Sequence, residues 1–110
     1  TNLVSGESLI RQFLHGTRHM RAEFGVESRV LWLPDVFGYS GQLPQIARGC
    51  GMTSFLTSKL SWNQFNRMPH DTFRWRGIDG SEVLTHFITA SAQPPKHLSE
   101  AQFYTYVGNM

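Results

Sequence analysis

The sequence predicts an α/β fold in which parallel strands alternate with helices and a hairpin follows. Three observations predict it: a helical apolar period over residues 9–24, a short, nearly all-apolar run at residues 29–33, and two strand-like segments flanking Asp79-Gly80. The order helix, strand, helix, strand is that of a layered β/α sheet or a barrel.

Each element has its own signals. Leu9, Phe13, Thr17, Met20 and Phe24 are three or four residues apart and trace one helical face. Ser5 is placed to cap the N-terminus of that helix, Glu7 sits in the first turn where the helix dipole favours a carboxylate, and Gly25 stands where a left-handed C-terminal residue belongs. Arg29-Val30-Leu31-Trp32-Leu33 lacks alternation and reads as a strand buried on both faces, closed by Pro34-Asp35. Residues 42–48 form a second helix with Pro44 in its first turn and Gly49 or Gly51 at its end. Residues 53–57 are a second strand. Thr72-Phe73-Arg74-Trp75-Arg76 alternates, Asp79-Gly80 is a tight-turn dipeptide, and Glu82-Val83-Leu84-Thr85-His86-Phe87 returns as the partner strand. Residues 90–96 read as a loop, and Ser99-Glu100-Ala101-Gln102 as the start of a short helical turn.

Composition narrows the function classes. The 110 residues are 40% apolar and 16% charged, which suits one folded domain, and fourteen aromatic side chains supply ring surface for a core. No apolar run approaches the roughly 18 residues that cross a bilayer, and no signal-peptide pattern opens the segment. Cys50 is the lone cysteine, so neither an intramolecular disulfide nor a Cys-x-x-Cys zinc knuckle is available. The net charge is +2, with basic residues scattered from Arg11 to Lys96, and this does not make a nucleic-acid footprint. The chain starts at Thr1 and stops at Met110 without a helix-terminating signal, and is expected to be a piece of something longer.

In α/β folds functional groups gather at the C-terminal ends of strands. Asp35 lies at such an end, held by Pro34 and followed by a loop with two glycines and two aromatics, Phe37-Gly38-Tyr39-Ser40-Gly41. It reads either as a catalytic or ligand-binding carboxylate or as a helix cap for the segment that follows.

Leu33-Pro34-Asp35-Val36-Phe37-Gly38-Tyr39-Ser40, continuing through Gln42-Leu43-Pro44-Gln45-Ile46, resembles the signature of glycoside hydrolase family 38, the α-mannosidases. The resemblance extends to Ser5-Gly6-Glu7-Ser8, Phe55-Leu56-Thr57, Lys59-Leu60-Ser61-Trp62-Asn63, Pro69-His70 and Gly77-Ile78-Asp79-Gly80-Ser81, and is strongest to the cytosolic and bacterial branch. It implies that residues 1–110 are part of the N-terminal catalytic (β/α)-barrel domain of a longer chain. The implied activity is that of a zinc-dependent retaining α-mannosidase acting on mannose-containing oligosaccharides or mannosides, in the cytoplasm by branch resemblance. By position in the motif, Asp35 is both the nucleophile and a zinc ligand. Retention requires such a carboxylate and a second carboxyl group about 5 Å away.

Further positions carry over from the same resemblance. Phe37 matches the aromatic beside the mannose, where a ring stacks on the C–H face of the sugar. Lys59 stands where a cation contacts a substrate hydroxyl or the carboxylates of the site; its alternative is a solvated surface lysine. Tyr106 matches an aromatic-containing loop near the sugar, although Thr105-Tyr106-Val107-Gly108 departs from the usual Tyr-Asn-Gly. The family's His-x-Asp pair, its later zinc-binding histidine and its general-acid motif have no match among His15, His19, His70, His86 and His97 or their neighbours, so those groups are expected outside the segment. His70 and His86 read as structural residues, Trp32, Trp62 and Trp75 as core or cleft walls, Asp79 as a turn residue and Glu7 as a first-turn helix residue.

The competing reading is a non-catalytic carbohydrate-binding protein with rings as sugar platforms and Asp35 as an acceptor. Oligomeric state and linkage preference are not encoded in these motifs. From the incomplete ligand set, the isolated 110-residue piece is expected to hydrolyse nothing and to bind zinc weakly. Calorimetric titration with zinc checks this, and nanomolar affinity overturns it.

Overall fold

The computed structural model describes residues 1–59, 65, 66 and 68–88. Two helices, α1 (Gly6–Phe24) and α2 (Leu43–Gly49), lie among four strands, β1 (Val30–Leu33), β2 (Ser54–Thr57), β3 (Thr72–Arg76) and β4 (Glu82–Phe87). The strands form one mixed sheet in the order β1-β2-β4-β3. β1, β2 and β4 run parallel, and β3 returns antiparallel against β4 with Trp75 opposite Val83. The described sheet is open, with β1 and β3 at its edges.

Helix α1 follows its sequence signals. The Ser5 side chain accepts a hydrogen bond from the Ser8 amide, and Gly25 adopts φ 65° while its N–H reaches the Arg21 carbonyl and the Val26 N–H reaches Met20. This glycine ends the helix because a side chain resists the left-handed region. Glu7 pairs with Arg11 at 2.8 Å on the solvated face, worth a few tenths of a kcal/mol. Leu9, Phe13, Thr17 and Met20 are the half-buried residues of α1, while Phe24, the last of the apolar series, is exposed. None of the α1 side chains is fully buried. Its apolar face borders a cavity of about 400 Å³ shared with Leu31, Leu33, Leu43 and Met52.

Each strand is covered on one face. Leu43, Ala47, Met52, Phe55 and Val83 form the buried cluster, with Phe13, Leu31, Leu33, Tyr39 and Trp75 packed around it. Tyr39 and Trp75 both meet the Phe55 ring, at centroid distances of 4.9 and 5.5 Å. The expectation that the apolar run after α1 is buried on both faces is corrected by this layout. Val30 and Trp32 alternate outward and are exposed, with Leu84 on the same face. Among the described residues the helices α1 and α2 cover the other face. The expectation for Trp32 as a core or cleft-wall residue is likewise corrected, whereas Trp75 packs on the core.

The turn between β3 and β4 matches its reading. Gly80 has φ 88°, the Gly77 amide bonds the Ser81 carbonyl, and Asp79 accepts from the Ser81 amide and hydroxyl. These bonds, the Ser81 hydroxyl first, hold the Asp79 carboxyl below its ordinary pKa. The turn is clipped to the preceding α2 loop: the Ile78 amide donates to the Gly41 carbonyl at 3.1 Å, and a Cβ on Gly77 would lie 3.1 Å from that same oxygen. The loop and helical turn read at residues 90–102 lie outside the described residues.

Phe55 touches most of this core. Phe55→Ala is expected to cost about 3–5 kcal/mol through lost burial and a residual cavity. The shift of the urea midpoint against the unsubstituted protein measures it.

Candidate active site

The parallel register between β1 and β2 builds the site. Leu33 stands opposite Thr57, where the ladder ends, and the pairing continues through side chains beyond it. Pro34 accepts a hydrogen bond from the Ser58 hydroxyl at 2.5 Å, and Asp35 meets Lys59, whose Nζ lies 3.1 Å from Oδ1. Asp35, Phe37 and Lys59, singled out separately in the sequence, are brought together. Lys59 Nζ also stands 5.5 Å from the centre of the Phe37 ring. Tyr106 lies outside the described residues, as does Trp62.

Burial differs sharply across this cluster. The Lys59 side chain is 18% exposed and that of Asp35 72% exposed, so the ammonium is seated under the rim while the carboxylate projects from it. Lys59 is therefore not a solvated surface lysine. A pair with one exposed member contributes about 0–1 kcal/mol to stability, and geometrically it places the ammonium against Oδ1. Phe37 exposes 72% of its surface beside them, and Gly38 takes φ 106°, turning the loop between Phe37 and Tyr39 as a non-glycine residue resists doing.

Behind the rim, Tyr39 joins site and core. Its hydroxyl contacts the Thr57 hydroxyl in a short hydrogen bond and lies 3.3 Å from the Leu33 carbonyl, which also accepts from Thr57 at 2.8 Å. Burial pushes the phenol pKa up, the Thr57 hydrogen bond pulls it down, and the nearby Asp35 charge adds to the rise. This hydroxyl group was not singled out in the sequence. Its signal is Thr57-Ser58 immediately after an apolar strand, in register with the end of β1.

The remaining candidates sit elsewhere. His86 Nδ1 is hydrogen-bonded to Thr72 Oγ1 at 2.8 Å across the hairpin, and His70 is exposed. Among the described residues no three His, Cys, Asp or Glu side chains converge as metal donors. Asp35 supplies one accessible carboxylate, which is a compatible zinc donor but does not make a zinc site with its described neighbours.

Fold and site together define a mixed α/β domain that presents one carboxylate, steered by a lysine and bordered by an exposed ring, at the end of a parallel strand. Residues 1–110 match the N-terminal domain of glycosyl hydrolases family 38, and the chain belongs to that family. It is similar to Alpha-mannosidase of Saccharomyces cerevisiae (58% identity), Alpha-mannosidase G of Dictyostelium discoideum (60%) and Alpha-mannosidase 2C1 of Homo sapiens (59%). Each likeness spans 86 residues, 78% of this chain and 8% of the relative, so the chain spans under a tenth of their length. In structure it is similar to the crystal structure of an alpha-mannosidase from Enterococcus faecalis V583, with a TM-score of 0.73 and 18% identity over 97% of this chain and 13% of that one. At that identity the likeness is one of fold.

The raised Tyr39 pKa gives a pH dependence with a definite sign. The neutral phenol contributes its full stability below the unfolded value of about 10, and that contribution is lost as pH rises from there through the higher folded value. Tyr39→Phe is expected to flatten the decline in stability above pH about 10 and to cost about 1 kcal/mol at neutral pH. Urea midpoints measured from pH 7 to 11 check both.

Proposed function

We propose that the protein is a zinc-dependent retaining α-mannosidase that removes terminal α-linked mannose from oligosaccharides or mannosides, and that residues 1–110 carry its nucleophile in part of a barrel-type catalytic domain. Membership of family 38 and the mannosidase names of the relatives support the activity. The observation that carries the role of Asp35 is its position: an accessible carboxylate at the end of β1, steered by Lys59 and next to the Phe37 ring.

In this reading an Asp35 carboxylate oxygen attacks the anomeric carbon and the bond to the leaving oxygen breaks, giving a glycosyl ester on Asp35 that water then hydrolyses. The leaving oxygen takes its proton from a carboxyl group outside the described residues. Lys59 keeps the attacking oxygen aimed and donates to a sugar hydroxyl, and Phe37 stacks on the sugar's C–H face. Zinc, bound through Asp35 and donors outside the described residues, would template the sugar hydroxyls. No described helix is long and apolar enough to cross a membrane. A cytoplasmic location belongs to the same proposal and is carried by the branch resemblance.

Covalent trapping tests this on the full-length protein with zinc present. An activated 2-fluoro mannosyl-type inhibitor is expected to leave one sugar adduct, mapped by peptide mass to Asp35. Asp35→Asn is expected to lose at least about a thousandfold in kcat, since the ester can no longer form. A protein that binds mannosides, forms no adduct and retains its affinity as Asp35→Asn is a sugar-binding protein instead.

A further inference from the structure

The backbone carbonyls of β1 change partners where the site begins. Up to Leu33 the strand is part of a parallel ladder with β2. At its end two carbonyls are held by side chains: Leu33 accepts from the Thr57 hydroxyl, with the Tyr39 hydroxyl beside it, and Pro34 accepts from that of Ser58. The Pro34 carbonyl belongs to the same peptide unit as the Asp35 amide. A hydrogen bond on one side of a planar unit restrains the orientation of the whole unit, and with it the position of the Asp35 Cα from which the side chain departs. Proline removes one further freedom by fixing its own φ.

The donors are themselves rigid. Thr57 is fully buried, and its backbone carbonyl is tied on the other side to the Ile88 amide at 2.8 Å. Ser58 follows it directly and is half-buried. The two hydroxyls, one at the end of the inner strand β2 and one on the residue after it, project toward a strand that has no described neighbour on its far side. Asp35, exposed just after an edge strand of the described sheet, is paired with Lys59, and ion pairs at an exposed group are weak.

We propose that Ser58 and Thr57 are positioning residues for Asp35: their hydroxyls, bonded to the Pro34 and Leu33 carbonyls, hold the peptide before the nucleophile and so narrow the arc over which its carboxylate is presented. This rests on the reading of Asp35 as nucleophile. Neither hydroxyl contacts the substrate in this account; both act through the backbone. Loss of either widens the arc available to the carboxylate, which lowers the fraction of bound substrate in attacking geometry and leaves binding nearly unchanged.

The test uses the full-length protein with zinc and an activated aryl α-mannoside. Ser58→Ala is expected to lower kcat roughly tenfold or more with KM within about twofold, and to slow adduct formation on Asp35 in parallel. Ser58→Thr, which keeps the hydroxyl, is expected to recover most of the rate, and Thr57→Ser to outperform Thr57→Val. A purely structural role predicts instead that activity follows the urea midpoint, whichever group is lost. Equal kcat for Ser58→Ala and Ser58→Thr, or a loss confined to KM, overturns the proposal. A crystal structure of Ser58→Ala supplies a readout independent of turnover: displacement of the Asp35 carboxylate from Lys59 supports the lock, and an unmoved carboxylate overturns it. Absence of both turnover and adduct in the unsubstituted protein overturns the nucleophile reading alone, and the crystallographic comparison then decides the positioning role.

Discussion

A buried hydroxyl must find a partner, and Thr57 meets that requirement in a way that organises its surroundings. The residue is fully enclosed, and its hydroxyl is satisfied by the carbonyl of Leu33 and the phenol of Tyr39. Leaving it unpaired would cost about 1–3 kcal/mol, so β1 and β2 are held level at their C-terminal ends. The offset of 24 between partners then carries past the ladder, from Leu33 and Thr57 to Pro34 and Ser58 and on to Asp35 and Lys59. The ion pair at the rim is in this sense an extension of strand register.

The same arrangement makes the boundary between core and site narrow. Tyr39 packs edge-on against Phe55 at one end and touches Thr57 and Leu33 at the other. Trp75 meets both rings, 5.5 Å from Phe55 and 6.3 Å from Tyr39, so the hairpin, β2 and the loop after β1 share one three-ring cluster. Interiors packed to crystal-like density transmit small displacements. A change of ring position in the core passes through Tyr39 to Thr57 and to the Leu33 carbonyl, two residues before the carboxylate.

Local features were legible in the sequence because local chemistry determines them. The four half-buried residues of α1 are four of the five that its period selected, Ser5 and Gly25 cap it as their side chains dictate, and Asp79-Gly80 turns the hairpin. Burial of β1 was not legible, since the run from Val30 to Leu33 is identical whether one face or two are covered. Asp35 was singled out from the strand end and the family motif, and Phe37 from its place in that motif. Proximity of Lys59 to both depends on which strands pair and in what register, a fact carried by contacts far apart in sequence. The hydroxyls of Thr57 and Ser58 are silent for the same reason: threonine and serine after a strand mean little until the neighbouring strand's carbonyls are located.

The loop from Asp35 to Gly41 is short, and both of its feet are fixed, one by the hydroxyls of β2 and the other by the amide of Ile78 on the hairpin turn. Its freedom is therefore spent during folding rather than at the moment a ligand arrives. Affinity gained by contacts to this loop is not diminished by a later ordering step. The hairpin turn, which lies outside the rim, acts as an abutment for it: a Cβ on Gly77 would press to 3.1 Å from the Gly41 carbonyl oxygen, tighter than ordinary contact. Sequence variation in that turn would thus alter how stiffly the loop is held without touching Asp35, Phe37 or Lys59.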